Sequence, residues 1–295
     1  MNERSGSNLK AKLILLAGVF SCSMSSAFFR YMTAPSTIAA TYRLGWTVLL
    51  LTPLIFSKRE TRKELLSLKG KDLAFCGLSG LFLAMHFVVW FESLSNTSIA
   101  SSTVLVNTEV AFAAFGYLIF FGKKIRKKEI LAIGIAFLGS VVIAMADTGG
   151  GAGKNAVLGD ILALLAAFFS ACYTLIGTRE RSHMSTMVYT YVLYWGCFVS
   201  LLVFDAVSGV PMTGYEPINW IMSLCLAVFC TLLGHSVFSW SLKFLTPTYV
   251  STVKLAGPVF ASISAILLFG EIPGLIQVAG AAVVLAGVYL YAKNS

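Results

Sequence analysis

Apolar residues along this chain gather in long unbroken stretches instead of short alternating ones. Ten runs of 19 to 25 residues stand out, at roughly 11–32, 36–57, 72–94, 98–121, 129–147, 158–178, 185–207, 218–242, 246–269 and 273–292. A helix needs about 20 residues to cross the hydrocarbon layer of a bilayer. Lipid offers no partner for backbone N–H and C=O groups, so only helices and closed barrels span it. Barrel strands would alternate apolar and polar positions over about ten residues, and these runs do not. The pattern therefore predicts an all-α polytopic membrane protein of ten transmembrane helices.

Composition agrees: the 295 residues are 57% hydrophobic and 12% charged, against about 45–50% and about 25% in soluble domains. The first run, preceded by Lys10 and Lys12 and holding Ser25-Ser26-Ala27, resembles a secretory leader. It is longer than the usual leader core and has a counterpart later in the chain, so it reads as a retained helix. All six cysteines lie in apolar runs without zinc or redox spacing.

The net charge of +9 would suit a nucleic-acid binder, but its placement points elsewhere. With the N-terminus cytoplasmic and ten alternating helices, eighteen Lys and Arg fall in cytoplasmic segments, Arg179 and Arg181 among them, and only Arg30 and Lys154 fall outside. That is a positive-inside bias. It predicts cytoplasmic N- and C-termini in a plasma-membrane protein and leaves no basic surface that calls for nucleic acid.

The second half of the chain repeats the first. Ser36-Thr37 and Thr41-Tyr42-x-Leu44-x-Trp46 recur as Ser185-Thr186 and Thr190-Tyr191-x-Leu193-x-Trp195, at a shift of 149. Phe121-Gly122 and Gly139 recur as Phe269-Gly270 and Gly287, at a shift of 148. The expected organisation is a five-helix repeat over 1–147, a linker over 148–157 and a second five-helix repeat over 158–295. Five is odd, so the second copy enters the membrane upside down. Charge agrees: the 57–71 loop carries six Lys and Arg, and its equivalent near 208–217 carries none. Inverted repeats recur in secondary transporters, where two similar halves interchange packings and open a central site to alternate sides.

The stretch Thr252 to Gly287 reads TVKLAGPVFASISAILLFGEIPGLIQVAGAAVVLAG. With Pro258, Gly270, Glu271, Gln277, Gly280 and Gly287, it resembles the EamA branch of the drug/metabolite transporter superfamily. The first repeat departs from that pattern, with Val110, Lys123 and Glu129 where Pro, Glu and Gln are expected. The resemblance implies a ten-helix exporter or importer of small organic solutes. It does not specify the solute, and no cofactor is expected.

A charge at bilayer depth costs about 2.5–3.5 kcal/mol on insertion scales, so each one needs a partner or a wet cavity. Glu109 and Lys254 lie in repeat-related helices. They read as a pair, or as groups that exchange partners, with Glu109 able to couple transport to protons; a fixed ion pair is the competing reading. Arg43 shares a helix face with Trp46 and can take a carboxylate through its fork, or snorkel to the surface. Tyr42, Trp46, Tyr191 and Trp195 form a candidate aromatic wall for an organic solute, or plain packing. Trp220 and Trp240 read as interfacial belt residues, and Glu92, near a helix end, as solvated. His86, four residues before Trp90, and His235 can bind solute or relay protons, or simply pack. Asn107 and Thr108 add polarity beside Glu109. Pro258 is expected to kink its helix beyond Lys254 as a hinge.

Gly149 to Asn155 lacks the spacing of a phosphate loop and reads as a flexible linker. No paired catalytic residues and no metal-ligand spacing such as HExxH appear, which disfavours an intramembrane enzyme. A non-transporting sensor on a transporter fold is the remaining alternative. The expected partners are a small-molecule solute, with an amino acid or other carboxylate-bearing compound as the candidate class, the lipid bilayer and a coupling proton. Oligomeric state has no signature in the sequence.

Overall fold

The computed structural model describes residues 2–29, 31–97, 102, 105–146, 155–270 and 274–294. Arg30, Lys154, Glu271 and the glycines of the expected linker lie outside the described residues. The described chain is helical throughout. Its elements are α1 (Asn2–Ser23), α2 (Ser25–Phe29), α3 (Ser36–Ser57), α4 (Arg59–Leu66), α5 (Gly70–Asn96), α6 (Glu109–Phe121), α7 (Lys127–Ala146), α8 (Ala156–Glu180), α9 (Thr186–Ser208) and α10 (Pro217–Cys225). A π-helical stretch (Leu226–His235) leads into α11 (Ser236–Ser241), followed by α12 (Pro247–Lys254), α13 (Gly257–Phe269) and α14 (Leu275–Asn294).

Eight segments among the described residues are long and apolar enough to cross a membrane: Leu9–Phe29, Ser36–Ser57, Gly70–Asn96, Ala156–Glu180, Thr186–Ser208, Pro217–Ser241, Pro247–Leu268 and Leu275–Asn294. The protein is thus an integral, polytopic membrane protein. Large apolar side chains stay exposed along these segments, including Leu49, Val207 and Leu275. Lipid-facing surface needs no burial.

Helix ends follow local chemistry. Thr246 caps α12 by accepting the Tyr249 N–H at 3.1 Å, with Pro247 in the first turn, where its missing N–H costs nothing. Gly122 closes α6 with φ +64°, and Gly270 follows α13 with φ +67°. Each donates its N–H to the carbonyl four residues back, at 3.0 Å, the left-handed stop that glycine allows most cheaply. These matching stops fall on matching helices: the same shift of 148 carries Glu109–Phe121 onto Gly257–Phe269 and Lys127–Ala146 onto Leu275–Asn294.

The chain divides into two compact units. The first contains residues 1–87 and 176–244. In it α3 packs on α9 and α10, and α1 packs on the π-helical stretch. A Cβ on Gly80 would stand 2.3 Å from the Leu193 carbonyl oxygen, so α5 and α9 meet backbone to backbone. The second unit contains residues 88–175 and 245–295. Its closest pairing is α7 against α14, where Gly139, Gly280 and Gly287 leave no room for a side chain. Small residues let helices approach closely where no hydrophobic drive separates lipid from protein.

Candidate functional site

The second unit holds a buried ionic cluster built on two interrupted helices. α12 ends at Lys254, the chain turns through Leu255 and Ala256, and α13 resumes at Gly257. Pro258 accounts for the break, because it has no N–H to offer the Lys254 carbonyl four residues earlier. Across it the backbone tightens to three-residue spacing, Leu255 N–H to Thr252 O at 3.1 Å and Ala256 N–H to Val253 O at 3.0 Å. The entry to α6 tightens in the same way, with Ala111 N–H on Thr108 O at 2.9 Å.

Glu109 therefore stands at a helix N-terminus and Lys254 at a helix C-terminus. Each end carries the partial charge opposite to its side chain, worth about 0.3–1 kcal/mol at an exposed site and up to about 2 kcal/mol in a partly buried one. The Lys254 ammonium donates to both carboxylate oxygens of Glu109, Nζ to Oε1 at 2.6 Å and to Oε2 at 2.7 Å. Ser251 Oγ adds a bond to Oε1 at 2.9 Å, and Ser170 Oγ one to Oε2 at 2.7 Å. Glu109 is 8% exposed, so these donors replace most of its water. Lys254 Nζ also sits 5.7 Å from the Tyr173 ring centroid, within cation–π reach. Beside the cluster, Asn107 donates to Ser140 Oγ at 3.0 Å, and Thr108 donates to its own turn at Leu105 O. Trp90, in the same unit, is half-buried on α5, and Glu92 is exposed and accepts from Asn96 Nδ2.

The first unit carries a second buried cation. Arg43 is 4% exposed, so it does not snorkel. Its Nε donates to Thr231 Oγ1 at 2.6 Å, and its guanidinium carbon lies 5.0 Å from the Phe87 ring centroid. Its Nη2 is buried and meets no hydrogen-bond acceptor among the described residues. Thr231 belongs to the π-helical stretch and donates to Leu226 O, five residues back. π-helical insertions are rare and cluster at functional sites. His235 closes that stretch, buried, with its ring 5.8 Å from Phe87. His86 is half-buried on α5 next to Phe87.

Tyr42 and Trp46 line a cavity of about 280 Å³ with Thr41, Phe198, Met212 and Trp220. Tyr42 stacks on Trp220 at 4.0 Å between ring centroids and donates its hydroxyl to the Met212 carbonyl at 2.5 Å. Trp46 meets Trp220 edge-on at 6.5 Å. Tyr191 and Trp195 do not line this cavity: Tyr191 shares a hydrogen bond with Thr52 at 3.1 Å, and Trp195 is 40% exposed. The aromatic lining of this cavity thus includes Trp220, read above as a belt residue, and not the Tyr191–Trp195 pair.

The sequence reading missed three residues and misplaced a fourth. Asp205 is fully buried and accepts from Thr41 Oγ1 at 2.5 Å. Its signal was a lone carboxylate flanked by apolar residues on both sides. Ser170 and Ser251 give no signal, since serines are common in membrane helices. Arg181, counted above as a loop charge, is 1% exposed and donates to the carbonyls of Met184 and Ser239.

A polytopic membrane protein with charges buried among its apolar helices fits the transporter class. Such charges cost stability and are kept where a solute or ion must pass. The sequence model of the EamA-like transporter family matches residues 9–145 and again residues 157–292, and the chain belongs to that family. An uncharacterized transporter of Archaeoglobus fulgidus is 26% identical over 250 residues, 82% of this chain and 84% of that protein. A probable amino-acid metabolite efflux pump of Salmonella typhimurium is 27% identical over 180 residues, 58% of this chain and 59% of that protein. A solved crystal structure superposes with a TM-score of 0.77 at 16% identity, covering 97% of each chain. The protein moves a small molecule across a membrane and is a transporter, not an enzyme.

Proposed function

We propose that this chain is a secondary active transporter for a small carboxylate-bearing metabolite of the amino-acid class, working by alternating access and coupled to protons at Glu109. The observation that carries the reading is the Glu109–Lys254 pair at two helix interruptions. A proton on Glu109 cancels its charge and loosens its hold on the ammonium. Lys254 then becomes available to a carboxylate from the solute, so one cation alternates between two anionic partners and links proton binding to solute binding. The open Nη2 of Arg43 supports an anionic solute. Charge counting supports it less, because Asp205 balances Arg43 in number as Glu109 balances Lys254. The amino-acid efflux pump among the relatives favours the same solute class.

Alternating access rests on the expected repeats, 1–147 and 158–295, inserted in opposite orientations with both termini cytoplasmic. The two family matches and the helix boundaries related by a shift of 148 support the duplication. α6 and α7 would complete ten spans. A cysteine placed at Glu60 should react with a membrane-impermeant maleimide from the cytoplasmic face, and one at Met212 from the outer face. Labelling of both from one face would remove the inverted arrangement.

Transport is tested in proteoliposomes. Glu109→Gln should abolish accumulation driven by a pH gradient while sparing counterflow of labelled amino acid. Unchanged gradient dependence would take Glu109 out of the coupling role. In the same assay Arg43→Lys should weaken affinity for acidic solutes about tenfold, since a point ammonium cannot reproduce the fork. Equal affinity would discard Arg43 as the anion contact.

A further inference from the structure

The first unit holds a cluster that the transport reading does not use. Asp72 lies in the first turn of α5, Glu180 is the last residue of α8, and His183 sits in the turn that follows. One ligand atom from each lies within 4.8 Å of the other two. His183 Nε2 is 3.5 Å from Asp72 Oδ1 and 3.4 Å from Glu180 Oε2. Metal–ligand bonds of about 2.0–2.2 Å at tetrahedral zinc place neighbouring ligand atoms about 3.3–3.6 Å apart. The two histidine–carboxylate separations match that edge length.

The opposite side of each ligand is already engaged. Asp72 Oδ2 accepts the Lys69 N–H at 3.3 Å. Glu180 Oε1 is held by Arg179 Nε at 3.5 Å, and the Arg179 guanidinium rests over the Phe75 ring at 3.8 Å. His183 Nδ1 stands 3.4 Å from Ser182 Oγ. Metal ligands are typically oriented by such outer contacts. An independent sign comes from Glu180 itself. The residue is 1% exposed, yet Oε2, the atom facing the histidine, receives no hydrogen bond among the described residues. A buried carboxylate oxygen with no donor is costly, and a cation would satisfy it. The half-exposed His183 leaves the cluster accessible from solvent.

We propose that Asp72, Glu180 and His183 bind one divalent first-row transition-metal cation of the zinc type, with water completing the shell. The imidazole favours such a cation over calcium or magnesium, which take oxygen ligands. The bound ion joins the start of α5 to the end of α8 and the turn that follows it.

The test uses the full-length protein in detergent, stripped with chelator and dialysed against Zn²⁺. The wild type should retain one more equivalent than His183→Ala and Asp72→Asn, and both variants should bind at least about tenfold more weakly. Both altered side chains are partly exposed, so folding is spared, and an unchanged melting profile in chelator checks this. Co²⁺ loaded in place of zinc should give tetrahedral visible bands without thiolate charge transfer, lost in His183→Ala. Equal zinc uptake by all three proteins, or a thiolate spectrum unmoved by the substitution, would overturn the site. The cluster would then be a histidine–carboxylate ion pair, and the six cysteines would account for any bound metal.

Discussion

Lys254→Met is expected to lower the stability of the purified transporter by about 3–5 kcal/mol, the usual cost of stripping one member from a buried ion pair. The substitution removes the two ammonium bonds to Glu109, at 2.6 and 2.7 Å, and leaves the neutral hydroxyls of Ser170 and Ser251 on its carboxylate. Water cannot readily replace the lost donor at a residue 8% exposed. Glu109→Gln strands the ammonium instead and should cost a similar amount. The double variant Glu109→Gln/Lys254→Met leaves neither charge buried and should recover most of the loss. Thermal unfolding of the four proteins in one detergent completes the cycle. Additive losses, with the double variant the least stable, would mean that the two groups do not hold each other.

The second large effect is steric. A Cβ on Gly287 would lie 2.3 Å from the Ala136 backbone nitrogen and 2.7 Å from its Cα. The obstacle is main chain of α7, which cannot swing aside as a side-chain tip can. Overpacking typically costs about 1–3 kcal/mol, and Gly287→Leu should reach or exceed the upper figure by prising α14 from α7. Gly134, also on α7, has nothing within 4 Å of its Cβ position. Gly134→Leu should be neutral or stabilising by up to about 1 kcal/mol, since leucine is the better helix former. Melting temperature and the monodisperse fraction on size exclusion read both. Equal damage from the two substitutions would show that the close approach of α7 and α14 contributes little.

The helical class was legible in the sequence because lipid imposes a coarse rule: runs near 20 residues, with charge kept out of them. Glu109 and Lys254 stood out for the same reason, and their pairing followed from the cost of leaving either alone. Arg43 stood out as a cation within an apolar run, but its burial was not visible. A third of the way into a helix, snorkelling and burial give the same sequence. Trp220 carries a second role that the sequence does not show. A tryptophan near a helix start fits the interfacial belt, and only the three-dimensional approach of Tyr42 turns it into a cavity wall. Asp72, Glu180 and His183 had no readable spacing, because the ligands come from two separate stretches of chain. Asp205 went unread, and its partner Thr41 is 164 positions away.

The shortness of α12 has a mechanical consequence. Eight residues make a rod about 12 Å long, seated at one end by Thr246 and Pro247 and carrying the ammonium at the other. A tilt of about 15° about the seated end displaces the tip of such a rod by about 3 Å. That is the whole length of a salt-bridge contact, so a lever of two turns can disengage the charge without unwinding a single residue.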